Sequence, residues 1–551
     1  MSSNAPAQGK SPSVVPLHSK LPRGLMSTAQ SPLFQGRFGR LLRGLPAATY
    51  GKTDNDSRSA LTALGTAMTA GFDPPKDGAD AEESGIPALY TYFGQFVDHD
   101  ITFDPMTTLI QHSDPDALTD FRTPALDLDN VYGRGPGDQP YLYDNGPKFL
   151  LGDKLDNGAP DLPRNNAIPP NPKRALIGDP RNDENSIVSQ LQALFLRFHN
   201  RVVDDNPGLD FPTYQQIVRF HYQWVVLNDF LPRIVSSAVL DSLKTGGKFD
   251  EDKILFFTWK NDPFMPVEFS VAAYRLGHSM IRPGYRLNDD DATLLPIFPV
   301  SASVDPPAGI PNGLTGFQEM AKNRGIDWAR FIDTEKRSYG MSIDDIDKGK
   351  PADGPTKRRL QFAYRIDTSL VAPLGGLPPA VASDPPPSLP QRNLIRSFEL
   401  GLPSGQAVAK RMRGKVPGLK VLDDDQILIG KAVENPDNTG KDPDVRGNIT
   451  TAPQLAAFRG AFKGNCPLWT YILAEAFDTR TNVTIPVTDH TKKISTPQLG
   501  SVGGRIVAEV FLGLMIGDRD SYLSQDPDFT PTITTKGEFH LKDLVNYALG
   551  K

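Results

Sequence analysis

The sequence predicts a single large, mainly helical domain with long loops and very little β-structure. Three observations carry this. Several segments space their apolar residues at the helical period, convincing strand alternation is scarce, and glycine and proline are abundant without any repeat. The 551 residues include 48 glycines and 51 prolines, both above average usage of roughly 7% and 5%. Such residues, spread along the chain, signal long ordered loops. No composition break divides residues 31–551, so one domain is expected there, preceded by a polar, proline-containing arm at 1–30.

Taken in order, short basic and apolar segments alternate over 33–68 and end in a helical-looking stretch at 61–68. Next comes Tyr90-Thr-Tyr-Phe-Gly-Gln-Phe-Val-Asp-His-Asp-Ile-Thr-Phe-Asp-Pro105, aromatic and apolar, with Asp98-His99-Asp100 at its centre. On a helix, neighbours are turned by about 100°, so these three groups meet three different environments. Each requires a partner, because an unpaired polar group in an apolar setting is costly. Residues 105–180 are rich in Asp, Asn, Gly and Pro and read as loop.

Residues 186–203 carry a helical stripe of Ile187, Leu191, Leu194, Phe195, Phe198 and Val202, and 214–234 is similar, ending near Pro232. A helix is expected over 268–281, carrying His278 and stopped by Pro283-Gly284. Proline-rich loops follow at 300–315 and 371–390. Helices are expected at 391–400, stopping at Gly401-Leu-Pro403, then at 468–477 and 500–516.

The net charge of −6 argues against a nucleic-acid or anionic-membrane surface. The lone Cys466 excludes an intrachain disulfide, and with no base near it in sequence it reads as a structural thiol. Residues 1–30 lack the apolar core of a secretory signal. The longest apolar stretch, 506–516, contains Glu509 and is short of the roughly 20 residues of a membrane span. A soluble protein is expected, cytoplasmic or exported by a route the sequence does not display. Oligomeric state leaves no signal.

Five features could carry chemistry. In Thr123-Pro-Ala-Leu-Asp-Leu-Asp-Asn-Val-Tyr-Gly133, positions 123, 125, 127 and 129 offer oxygen at alternate residues, as an extended loop would need to share one side. Asp100 could complete a Ca²⁺ site of six to eight oxygens; the alternative is an acidic turn. Arg181 and Glu184 in Gly178-Asp-Pro-Arg-Asn-Asp-Glu184 share a face on a first helical turn, as functional groups or as a local ion pair. His199 reads as a packed structural histidine. His278 has Gly277 beside it, which admits something flat, either a helix backbone or a porphyrin. Asn393 and Arg396 share a face of a short helix, in a site or in solvent.

In this order, these motifs resemble the animal-type haem peroxidases of the peroxidase–cyclooxygenase superfamily, with the bacterial branch looking closest. The resemblance spans about residues 35–525, and its specific strings are Gly94-Gln-Phe-Val-Asp-His-Asp100 and Leu196-Arg-Phe-His-Asn-Arg201. It implies that His99 is the distal acid–base residue, Arg181 the distal guanidinium and Gln95 a distal-cavity residue. His278 is implied as the iron ligand, Asn393 as its hydrogen-bond partner, and Arg275 and Arg396 as arginines beside the haem. Asp98 and Glu184 match carboxylates that form esters to haem b. Asp100, Thr123, Ala125, Asp127 and Asp129 match the Ca²⁺ ligands. Two departures stand out: Asn185 follows Glu184, so a third link through Met cannot form, and Glu399-Leu400 replaces an Asp-His pair.

The implied activity is reduction of hydrogen peroxide with oxidation of a small donor, a phenolic reductant or a halide or pseudohalide. Two alternatives stand beside it. One is a fatty-acid dioxygenase using a tyrosyl radical. Tyr274, however, lies four residues before His278, and Arg275 takes the position three before, where the cyclooxygenase tyrosine sits. The other is a calcium-braced interaction module without enzymatic activity, against which the histidine pair argues.

Overall fold

A computed structural model describes residues 37–551, except 72–73, 104–119, 121, 169–170, 261, 292, 299–312, 343–344, 347, 380, 431–453, 456–457, 459, 489–492 and 535–536. The expected arm at 1–30 and most of the expected loop at 300–315 lie outside the described residues. The long elements are helices: α1 (Asp54–Ala67), α2 (Leu89–Ile101), α3 (Ser186–Asp205), α4 (Phe211–Val225), α5 (Leu389–Glu399), α6 (Gly405–Arg413), α7 (Leu468–Asp478), α8 (Gly503–Gly517) and α9 (Leu541–Leu549). Strands are short and pair two at a time. The longest are antiparallel pairs, Glu83–Pro87 with Phe362–Tyr364 and Arg480–Thr484 with Lys493–Pro497. The mainly helical architecture is as expected.

Helix α1 begins earlier than its apolar stretch. Thr53 caps it: the Asp56 amide donates to the Thr53 hydroxyl at 3.1 Å, and the Thr53 amide donates to the Asp56 carboxylate at 3.0 Å. This reciprocal box satisfies two otherwise orphaned donors.

Helix α2 is buried along almost its whole length. Phe96 stacks on Phe195 of α3 at 4.3 Å and meets Tyr222 of α4 edge-on, while Phe93 meets Phe230 edge-on at 5.5 Å. Each such pair contributes about 0.5–1.5 kcal/mol beyond its buried area. More to the point, interlocked rings on two faces fix the rotation of α2 about its axis. That rotation decides where residues 98, 99 and 100 are aimed.

Two expected helices are interrupted. The stretch expected at 214–234 runs as α4, then a π-helical turn at Val226–Phe230, then one α-turn at Leu231–Ile234. Pro232 has no N–H to give to residue 228 and its ring crowds that carbonyl, so the wider turn relieves the clash. The helix expected at 268–281 is instead a single α-turn, Val267–Ser270, and a 3₁₀ helix, Ala273–His278. Between them Ala272 leaves helical geometry at φ −131° and ψ −74°. The Ser270 carbonyl, freed by the break, accepts from Arg275 Nε at 2.8 Å, and Tyr274 stacks on Phe269 at 4.8 Å.

Over 105–180 the described chain is loop with only short turns, as expected. Gly178 is needed there for close approach, since a Cβ would sit 2.5 Å from the carbonyl oxygens of both Asp129 and Asn130. Among the described residues no helix is long and apolar enough to cross a membrane.

Candidate functional site

Helix α2, the Pro180–Asp183 turn and the 3₁₀ helix ending at His278 enclose a cavity of about 420 Å³. Gln95, Asp98, His99, Arg181, Glu184, Arg275, His278 and Arg396 all line it. Eight residues singled out from sequence therefore meet in one space.

His99 is buried, and its Nδ1 lies 2.7 Å from the side-chain oxygen of Asn182. Burial, followed by the charge of Arg181, brings its imidazole down to about 4, so the ring is neutral at neutral pH. A neutral imidazole has one nitrogen free to accept a proton.

Arg181 does not pair with Glu184 as a first helical turn would allow. The turn is 3₁₀, and the guanidinium instead joins Asp179, with Nη2 donating to Asp179 Oδ2 at 2.9 Å and to the carbonyls of His99 at 3.1 Å and Thr102 at 2.7 Å. It lies over the Phe103 ring at 4.6 Å. Its Nη1 makes no hydrogen bond among the described residues. Asp179 is fully buried; although burial works against its charge, Arg122 and Arg181 hold its carboxyl well below the usual range.

His278 is brought to about 3 by burial and then by the Arg275 charge, leaving a neutral imidazole suited to ligate a metal. The side-chain amide of Asn393, on α5, lies 2.7 Å from its Nδ1. A half-turn of that amide exchanges its oxygen and nitrogen, and a metal on Nε2 selects the turn that lets Nδ1–H donate to oxygen. A Cβ on Gly277 would meet nothing within 4 Å, so open space and not a neighbouring backbone lies beside this histidine. Apolar walls from Ile281, Ile297, Leu374 and Leu377, with the guanidinia of Arg275 and Arg396, match a flat apolar ring bearing carboxylates. The residues fit haem.

Two carboxylates face this cavity. Gln95 donates to Glu184, and burial pushes the Glu184 carboxyl up to about 7. Asp98 accepts from the Thr102 hydroxyl at 3.2 Å. Asn185 caps α3 by accepting from the Ile187 and Val188 amides.

Asp100 points elsewhere. With Asp127 and Asp129 it forms a buried cluster whose oxygens lie within 4.8 Å of one another. Burial and the two neighbouring carboxylates raise the Asp100 carboxyl well above its usual range. Asp100 Oδ1 and Thr123 Oγ1 are buried without a hydrogen-bond partner among the described residues. Crowded carboxylates and orphaned hard oxygens are what a Ca²⁺ ion would satisfy. Ala125 is buried in the same loop, which is bent and not extended as the alternation argument assumed, with Leu128 at φ 60°.

Other readings can be placed. His199 is structural, held between the Tyr132 hydroxyl at 3.1 Å and the Pro147 carbonyl at 2.8 Å. Cys466 is buried, and burial pushes its thiol up. Glu399 pairs with Arg58 at 2.7 Å. Tyr274 lines the cavity and donates to the Gly94 carbonyl at 3.1 Å.

Sequence reasoning missed Asn182, Gln192, Arg122 and Asp179. Asp179 and Asn182 flank Arg181 within the quoted string, and Arg122 immediately precedes the acidic loop. Gln192 is one of several polar residues buried along α3, with Ser189 and Gln190, and the helical pattern alone does not single it out.

Residues 109–321 match the sequence profile of the family described as animal haem peroxidase. That range contains the acidic loop, Arg181, Glu184 and His278, but neither His99 nor Asn393. A peroxidase-like protein of Margaritifera margaritifera is 30% identical over 115 residues, covering 19% of this chain and 14% of that protein. The match thus spans only a small part of that relative's length. Peroxidase A from Dictyostelium discoideum superposes with a TM-score of 0.54 at 15% identity, over 93% of this chain and 95% of that one. The two share a fold. A fatty acid alpha-dioxygenase from Oryza sativa gives a TM-score of 0.47 at 14% identity, over 94% and 84% of the respective chains.

Proposed function

We propose that this chain is a haem peroxidase that reduces hydrogen peroxide and oxidises a small donor, either a phenolic reductant or a halide or pseudohalide. One observation carries the reading. Two imidazoles, His99 buried and His278 half-buried, both neutral at neutral pH, line a single cavity, and an asparagine meets Nδ1 of each.

Haem held by His278 would supply the redox chemistry. The residues do the rest. His99 takes a proton from one peroxide oxygen and returns it to the other as the O–O bond breaks. General acid–base help of this kind contributes about 10²–10⁴ in rate. Arg181 stabilises the negative charge that develops on the departing oxygen, from a guanidinium already oriented by Asp179. Asn393 orients the His278 ring, as outer partners of metal ligands do. Gln95 holds Glu184, while Arg275 and Arg396 supply positive charge beside the cofactor. Asp98 and Glu184 are the carboxylates we assign to ester links with it, and Ca²⁺ held by Asp100, Thr123, Ala125, Asp127 and Asp129 would brace the His99 helix.

Rapid mixing of the haem-loaded protein with H₂O₂ tests this. A fast change in the haem absorption spectrum is expected, slowed at least 100-fold in His99→Ala. An equally fast change in the variant would overturn the role of His99. A preparation made with ample haem that shows no Soret band would favour the non-enzymatic module.

Tyr274 at the cavity wall keeps fatty-acid oxygenation as a second reading. Its hydroxyl donates to an amide carbonyl, which is not a base for the proton an oxidised tyrosine sheds. Oxygenated products from linoleate and O₂, lost in Tyr274→Phe, would establish that reading instead.

A further inference from the structure

The Asn182 side chain has no freedom in how it meets His99. Its nitrogen donates to Gln192 Oε1 at 2.7 Å, and the Gln192 nitrogen donates to the main-chain carbonyl of Asn130 at 3.4 Å. A carbonyl oxygen can only accept. Gln192 must therefore turn its nitrogen to Asn130 and its oxygen to Asn182. Asn182 must then turn its nitrogen to Gln192 and its oxygen to His99, which it meets at 2.7 Å. An acceptor facing Nδ1 requires the ring proton to be there. Asn182 and Gln192 have no exposed surface, so water does not offer an alternative partner. Asn130 is anchored in its turn, donating from its side chain to the Phe96 carbonyl of α2 at 3.0 Å.

We propose that Asn182, set by Gln192 and the Asn130 carbonyl, is a positioning residue that fixes His99 as its Nδ1–H tautomer and leaves Nε2 with its lone pair for the cavity. The significance of this rests on His99 being the proton carrier proposed above. An Nε2–H tautomer could not take a proton from peroxide. An imidazole without an acceptor at Nδ1 is free to move its proton to Nε2, and that fraction of the protein would be inert. The relay also stiffens as it works. When His99 holds the extra proton, its Nδ1–H bond to Asn182 becomes charge-assisted and stronger.

The tautomer can be read directly, without haem turnover. Full-length protein labelled with ¹⁵N-histidine is examined by long-range proton–nitrogen correlation, and the His99 signals are identified by their loss in His99→Gln. In the native chain Nδ1 should be the protonated nitrogen and Nε2 the bare one. Asn182→Leu should give a mixed or reversed pattern, Asn182→Asp should retain the native pattern because it keeps an acceptor, and Asn182→Leu should slow the peroxide reaction about 10-fold. If Asn182→Leu does not fold, Gln192→Leu, which frees the Asn182 amide to turn, should mix the tautomers instead. A protonated Nε2 in the native chain, or an unchanged pattern in the folded leucine variants, overturns the proposal and leaves the peroxidase reading standing. The expected pattern in a haem-loaded protein that does not react with peroxide leaves the tautomer lock standing and overturns the peroxidase reading.

Discussion

Arg122 donates to Asp179 from Nε across 3.0 Å, with both side chains buried. The same guanidinium places Nη1 3.2 Å from Asp129 in the acidic cluster, and Asp179 in turn holds Arg181. Three ion pairs, Asp129–Arg122, Arg122–Asp179 and Asp179–Arg181, therefore connect the candidate cation site to the guanidinium that faces the cavity. Removing one partner of a buried pair costs about 3–5 kcal/mol because the other charge is left unmatched. Arg122→Gln should fall at the low end, about 3 kcal/mol, since Asp179 keeps Arg181. A thermal melt should drop by several degrees and the peroxide reaction should slow with it. A variant with native melting and native rate would show that the connection is inert.

Calcium should act through Asp100, one residue from His99 on a helix whose rotation is fixed by Phe93 and Phe96. Ligand that binds only the folded state stabilises it by about 2.7 kcal/mol at 100 times Kd. Adding Ca²⁺ to chelator-treated protein should raise its melting temperature and speed the peroxide reaction. Asp100→Ala should abolish both responses, although residue 100 is not expected to touch peroxide. Full activity in a calcium-free Asp100→Ala protein would remove calcium from the account.

Asp98 and Glu184 both line the cavity, and Gln95 orients Glu184. If both form esters to haem, acidified organic solvent should leave the haem on the protein after peroxide turnover. Glu184→Gln should release more of it, because an amide cannot form the ester, and Asp98→Asn should do the same. Complete extraction from the native protein after turnover would show that the carboxylates only contact the cofactor.

The long helices were legible because their buried faces repeat at the helical period, as in the stripe of α3 from Ile187 to Val202. Asp98, His99 and Asp100 were legible as three groups needing three partners, and the cavity wall, Asn182 and the acidic cluster meet them. What escaped was set by tertiary contact. The break before Ala273 leaves no mark in the periodicity of 268–281, because a bent segment buries the same apolar residues as a straight one. Asn182 looks like any polar turn residue until Gln192 and the Asn130 carbonyl are placed beside it. Alternation set Asp127 and Asp129 on one side of an extended loop, but it is bends and a left-handed Leu128 that bring their carboxylates together with Asp100.

The pH dependence of the peroxide reaction should separate His99 from an ordinary histidine. Its imidazole is lowered to about 4, first by burial and then by the Arg181 charge, where an exposed histidine titrates near 6.5. A cation in the neighbouring acidic cluster would push it further in the same direction. Only the neutral ring accepts a proton, so reactivity is fully present above the titration point and lost below it. The second-order rate constant should therefore stay level from pH 8 down to about 5 and fall only near 4. Arg181→Leu removes a repelling charge, so its slower reaction should lose activity at a higher pH than the native protein. The Soret band, followed alongside, would report any loss of bound haem separately from the rate. A rate that halves near pH 6.5 with the Soret band intact would mean that another group, or a solvated His99, carries the proton.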